Sequence, residues 1–229
     1  MDDVYPIFLR LKAKPVLIVG GGPVGWRKAE GLQAAGALVT VVSLEFHTDF
    51  EQLPTVQRII SAYEPGYLTQ AGRPRWVLVF AATNNPQINA QIYSDASRIG
   101  VLCCRCDAPQ AGDFIGPAVQ RCGPVTLAVT SGGASPGLSG DLARQLAAQL
   151  DPVQLKQIEL SVQWRELVLQ SVSKSEHRRN LLQRLSGEVM RDTIRQYGEA
   201  GAEALFRQWL MEAKASAAVV NSPATDARN

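Results

Sequence analysis

Three glycines spaced Gly20-x-Gly22-x-x-Gly25 stand directly behind the apolar run Val16–Val19, with a carboxylate, Glu45, about twenty residues further on. Residues of these types at this spacing could hold a dinucleotide. The first glycine makes a tight turn, the second lets a pyrophosphate approach the backbone, and the third lets helix pack closely on strand. Pro23 and Val24 lie where amides would face the pyrophosphate, although Pro23 has no N–H to give. Glu45 could accept hydrogen bonds from ribose hydroxyls, and Leu44 could line an adenine pocket. No basic residue stands between Val42 and His47 to pair with a 2′-phosphate, which favours NAD over NADP. The glycine spacing by itself also fits a strand-to-helix turn with no ligand.

Other reactive side chains are more ambiguous. Asp107 precedes Ala108-Pro109, where an aspartate commonly caps a turn, and Asp113 reads equally as a second acid of the site or as a turn acid. Cys103, Cys104, Cys106 and Cys122 offer four thiols to a metal. Adjacent strand residues point to opposite faces, however, so Cys103 diverges from Cys104 and Cys106, and no metal site is expected. His47 and His177 are isolated and read as surface residues. The segment His177-Arg178-Arg179, with Arg184 and Arg191 downstream, is either a solvated helix face or a cationic surface for an anionic ligand.

The elements that must position these residues follow a rhythm. Val16–Val19 reads as a strand, Val24–Ala35 as a helix stopped at Gly36, and Leu38–Ser43 as a strand with Glu45 just beyond its end. Val56–Ser61 reads as another strand, and Trp76–Ala82 as a strand buried on both faces. Asn85 or Asn84 caps a helix opened by Pro86 and closed before Gly100, and Val101–Cys106 is a fifth strand. This alternation over residues 1–113 predicts a doubly wound α/β parallel sheet, whose ligands bind beyond the carboxyl ends of its strands. Gly20–Gly25, Ser43–Glu45, Thr83–Asn85 and Asp107 all follow predicted strands and are expected at one crevice.

After Asp113 the pattern changes. Phe114–Val119 and Val125–Thr130 read as a hairpin turning at Arg121–Pro124, followed by a helical segment, Leu138–Leu150. The chain is then mostly helix-forming, broken near Ser171–Ser175 and around Gly198 and Gly201. The division expected is 1–113, 114–150, a helical domain over 151–220 and a flexible polar tail over 221–229.

Composition narrows the classes. With 229 residues, 46% of them hydrophobic, the chain can bury a core without disulfides or metals. A net charge of +2 gives no reason to expect nucleic acid as the main partner. No apolar stretch approaches a membrane span and the N-terminus lacks a signal-peptide pattern, so a cytoplasmic protein with reduced thiols is expected.

Several stretches taken together are more specific than any motif alone: "YPIFLRLKAKPVLIVGGGPVGWRKAEGLQAAGA", "FAATNNPQIN", "CDAPQAGDFIGPA" and "VTSGGASPGLSGDLARQL". In this order, over residues 5–150, the chain resembles the dehydrogenase and ferrochelatase module of siroheme synthase, also found as stand-alone precorrin-2 dehydrogenase. The resemblance implies a Rossmann domain binding NAD over Gly20, Gly22, Pro23, Val24 and Gly25, with Leu44, Glu45, Thr83 and Asn84 at its edge. It further implies a small β-containing dimerisation region, a helical domain and a homodimer. The implied reaction takes precorrin-2 to sirohydrochlorin, and in bifunctional members Fe2+ is then inserted to give siroheme. Asp107 falls at the position of the family's catalytic aspartate. Where the family often has asparagine three residues earlier, this chain has Cys104. Two rival readings are a non-catalytic NAD- or tetrapyrrole-binding protein of the same fold, and another Rossmann oxidoreductase. Against the latter, the chain lacks a Ser/Tyr-x-x-x-Lys arrangement or a His-centred relay.

Overall fold

The computed structural model describes residues 4–69 and 75–219. These fall into two compact units: Met1–Pro117 with Thr130–Ser139, and Ala118–Val129 with Gly140–Asn229. The polar tail expected over 221–229 lies outside the described residues.

The first unit is built on five parallel strands, β1 (Pro15–Gly21), β2 (Leu38–Phe46), β3 (Gln57–Ile60), β4 (Leu78–Ala81) and β5 (Leu102–Arg105). Helix α1 (Pro23–Ala34) connects β1 to β2, the single turn α2 (Gly66–Thr69) precedes β4, and α3 (Pro86–Arg98) connects β4 to β5. The strand order β3-β2-β1-β4-β5 reverses direction at β1, so the sheet has its topological switch point between β1 and β4. This is a Rossmann-type doubly wound sheet, as expected.

Residues Val16 to Val19 are all essentially inaccessible because alternate positions feed opposite cores. Val16 and Ile18 join Leu32, Val41 and Phe80 on one face, and Leu17 and Val19 join Val42, Val79 and Ile92 on the other. A strand sandwiched in this way carries an unbroken apolar run, which is why β1 and β4 were readable.

Among the boundaries that differ from expectation, two change how nearby residues are read. Strand β2 continues to Phe46, so Glu45 lies within it. Phe114–Pro117 is not strand; the hairpin is formed by β6 (Ala118–Cys122) and β7 (Val125–Val129), with Gly123 at φ 56° in its turn. The apolar Phe114 serves another purpose, packing edge to face on Phe80 with centroids 5.2 Å apart.

Helix α4 (Pro136–Ala148) follows the hairpin. In the second unit, α5 (Pro152–Ser171), α6 (Ser175–Leu185) and α7 (Glu188–Val219) share one core, where Trp164 stacks on Phe206 at 4.4 Å. Asp151 caps α5 by accepting from the Val153 N–H at 2.8 Å, and α7 is interrupted at Gly198, with φ 67°. No helix among the described residues is long and apolar enough to cross a membrane.

Candidate active site

The glycine loop separates into positions that are filled and one that is open. A Cβ on Gly20, whose φ is 116°, would lie 2.3 Å from the Ala82 carbonyl oxygen, and one on Gly25 would lie 1.9 Å from the Gly20 carbonyl oxygen. Only glycine allows β1 to turn beside β4 and α1 to close on that turn. A Cβ on Gly22 would meet nothing within 4 Å. The open position is the one where the fingerprint places the pyrophosphate.

Helix α1 begins at Pro23 with no side-chain cap on Gly22, and the Trp26 N–H is the one that returns to the Gly22 carbonyl, at 2.9 Å. Helix geometry leaves the Val24 and Gly25 amides without an intrahelical acceptor. Two orphan donors at the positive end of a helix, beside an open glycine, suit an anion.

Gly21 is a further glycine whose role the spacing did not reveal. Its Cβ would fall 2.4 Å from the Glu45 carbonyl oxygen. The pairing passes from Val19↔Val42 to Gly21↔Phe46, so Ser43, Leu44 and Glu45 bulge out opposite a single residue of β1. Leu44 is 68% exposed and Glu45 is exposed, both at the carboxyl end of β2.

Beyond β4, the Thr83 hydroxyl and N–H donate to Oδ1 of Asn89 at 2.7 and 3.1 Å, and the Asn89 amide donates back to the Thr83 carbonyl at 3.0 Å. Asn85 is the α3 cap, accepting from the Gln87 and Ile88 N–H groups, and Asn84 is exposed. Asn89, fully buried, was missed by sequence reasoning. Its signal was a polar side chain one turn inside a helix, on the face that Ile92 and Ala96 bury.

Asp107 follows β5 and is gripped by Arg105, whose Nη2 and Nε donate to its two carboxylate oxygens at 2.7 and 3.4 Å. The two side chains keep only 14% and 21% of their surface. Burial pushes the Asp107 carboxyl upward, but the Arg105 guanidinium, with lesser help from its own backbone N–H and the Asn89 amide, brings it below the ordinary carboxylate range. The result is a carboxylate held ionised, with a cation as its partner. Arg105 was also missed, although two residues apart on an extended chain is the spacing that puts side chains on one face.

Asp113 is structural, its carboxylate accepting from the Cys103 N–H at 2.8 Å and the Tyr93 hydroxyl at 3.3 Å. Cys103 enters one core and Cys104 the other, with Cys106 packed beside Cys104. Burial raises Cys103 to about 12. The Cys106 thiol, hydrogen bonded to Cys104, and to a lesser degree the Lys28 ammonium lower the Cys104 thiol against the pull of burial. Among the described residues no group of three or more Cys, His, Asp or Glu is arranged to hold a metal ion.

Neither histidine is a simple surface residue. The His47 Nδ1 accepts from the Asp49 N–H at 3.4 Å, and the His177 Nδ1 is buried. In the helical unit, Arg178 donates to the Val172 carbonyl, and Arg184 lies over Trp209 while pairing with Glu212 at 3.0 Å.

Residues 7–118 match a family described as "Putative NAD(P)-binding". Siroheme synthase 2 of Aeromonas hydrophila subsp. hydrophila is 33% identical over 214 residues, covering 93% of this chain and 44% of that protein. Siroheme synthase 1 of Aeromonas salmonicida is 39% identical over 151 residues, covering 65% of this chain and 31% of that protein. The chain thus spans less than half the length of these relatives. A solved structure titled "SirC, precorrin-2 dehydrogenase" shares the fold, with a TM-score of 0.69 at 20% identity, covering 91% of this chain and all of that one.

Proposed function

We propose that this chain, which belongs to the family of siroheme synthase N-terminal modules, is an NAD-dependent dehydrogenase that converts precorrin-2 to sirohydrochlorin. The observation that carries the proposal is the Arg105-bound Asp107 carboxylate at the end of β5, in the same sheet as a glycine loop open only at Gly22.

The residues present fit the cofactor. Gly22, Val24 and Gly25 would take the pyrophosphate by backbone approach, Glu45 the ribose hydroxyls and Leu44 the adenine, with Thr83 and Asn84 at the edge of the crevice. NAD+ supplies a hydride acceptor when bound. The overall change, precorrin-2 + NAD+ → sirohydrochlorin + NADH + H+, releases one proton from the macrocycle. Asp107 is ionised at neutral pH and so can accept that proton or orient the pyrrole N–H that carries it. Arg105 holds the carboxylate in place and limits its basicity, which favours orientation and charge stabilisation over strong proton abstraction.

We further propose Fe2+ insertion as a second activity, with the same carboxylate receiving protons displaced from the pyrrole nitrogens. We also propose a homodimer and a cytoplasmic location, where soluble NAD+ is at hand. The hairpin β6–β7 supports the dimer: it is a sheet of two strands whose residues are at most half-buried, and such a hairpin has little stability alone. Leu138, Leu142 and Leu146 add an exposed apolar stripe along α4, so 114–150 is the proposed dimerisation region.

The test is an anaerobic assay with precorrin-2 and NAD+, followed by Fe2+ in the same cuvette. NADH together with the sirohydrochlorin spectrum supports the dehydrogenase. A further change faster than the protein-free control supports the chelatase. NAD+ binding without NADH would favour the non-catalytic reading.

A further inference from the structure

The helical unit contains a groove of about 590 Å3 formed by α5, α6 and the start of α7. Its α5 wall is one helix face, Gln154, Ile158, Val162 and Arg165 recurring at intervals of three or four residues, with Leu182 of α6 and Arg191 of α7 opposite. The groove is lined by two arginines, several amides and hydroxyls and some aliphatic surface, and by no acid.

Arg191 is held in place by a buried amide. Gln157 is 4% exposed; its Nε2 donates to the Leu185 and Gly187 carbonyls at 2.8 and 2.9 Å, and its Oε1 accepts from Nε of Arg191 at 3.2 Å. This contact occupies one edge of the guanidinium and leaves both terminal nitrogens without a partner among the described residues. Arg165 likewise has no hydrogen bond or ion pair among the described residues. Two neighbouring cations are otherwise engaged: Arg184 with Glu212 and Trp209, and Arg195 with Asp151 and Asp192. A groove with two arginines whose terminal nitrogens are unengaged, no competing carboxylate among its lining residues and an aliphatic floor is complementary to an amphipathic polycarboxylate.

We infer that this groove binds carboxylate side chains of a tetrapyrrole through Arg191 and Arg165. The choice of a tetrapyrrole rests on the dehydrogenase reading, because precorrin-2 and its product carry carboxylates on an apolar macrocycle; the anion site itself does not depend on that reading.

The experiment titrates the full chain with uroporphyrin, a stable tetrapyrrole octacarboxylate, by porphyrin fluorescence. Wild type is compared with Arg165→Gln/Arg191→Gln and with Gln154→Glu, which adds a negative charge to the groove and leaves the Gln157–Arg191 contact intact. The double variant should bind at least about tenfold more weakly, and Gln154→Glu several-fold more weakly, with wild-type affinity falling as salt rises. A thermal melt checks folding, and if the double variant fails to fold then Gln154→Glu decides. Wild-type affinity in the folded variants, or no binding by wild type, overturns the inference. So does a double variant that changes the oligomer in sedimentation while binding porphyrin normally, since the groove would then be an interface between copies. NADH formation is read separately: a chain that makes no NADH yet loses porphyrin with these arginines keeps the groove and loses the dehydrogenase, and the reverse result does the opposite.

Discussion

At the scale of single residues, the proposed chemistry rests on a carboxylate that does not stand alone. Asp107 could be singled out from the sequence only through the resemblance, because an aspartate before Ala-Pro is ordinarily a turn residue. Its partners Arg105 and Asn89 come from the preceding strand and from a helix eighteen positions away, and such a meeting is set by topology and not by local spacing. Removing Arg105 in an Arg105→Gln variant should let burial dominate and raise the Asp107 pKa. The acidic limb of the turnover–pH profile should then move to higher pH, and an unmoved limb would detach Arg105 from the site. Stability follows the sign of the same shift. Asp107 has a lower pKa folded than unfolded, so its contribution is present above the unfolded value of about 3.9 and is lost as pH falls through the lower folded value. Denaturant unfolding of wild type and Asp107→Asn should therefore differ near neutrality and converge in strong acid.

At the scale of elements, the strands most readable in the sequence were those buried on both faces, β1 and β4, whose apolar runs leave little choice of structure. The misplaced hairpin start has a physical cause: Phe114 is apolar because it packs on Phe80, and Asp113 ties the same loop back to β5. The glycine loop was legible as a pattern, yet the different surroundings of its members were not. They lead to opposite expectations. Gly25→Ala places a methyl group on the Gly20 carbonyl and should destabilise the fold by about 1–3 kcal/mol. Gly22→Ala meets no protein atom, so the melting temperature should stay nearly unchanged, while on the proposed reading NAD+ affinity falls about tenfold or more, because the methyl group would occupy the space proposed for the pyrophosphate. Thermal melts and calorimetric titration separate the two. Tight NAD+ binding by Gly22→Ala would remove the pyrophosphate from that position.

At the scale of the whole molecule, α/β class and the helical remainder could be read from periodicity, but the state of association could not, because exposed apolar surface has no local signature. Leu138, Leu142 and Leu146 are 69%, 46% and 40% exposed. If the proposed homodimer forms and this stripe is its surface, wild type should sediment as a dimer and a Leu142→Glu variant as a monomer. An unchanged dimer would place the contact elsewhere.

The central claim, hydride removal assisted by Asp107, is tested most directly by an anaerobic single turnover of precorrin-2 with excess NAD+, using wild type and the isosteric Asp107→Asn. Wild type should form one NADH per precorrin-2 consumed. In the variant the rate should be lower by about 10²–10⁴-fold with NAD+ affinity preserved, the loss expected when a positioned acid–base group is removed. A variant that turns over as fast as wild type would contradict the role of Asp107, and no NADH from wild type that demonstrably binds NAD+ would contradict the dehydrogenase itself.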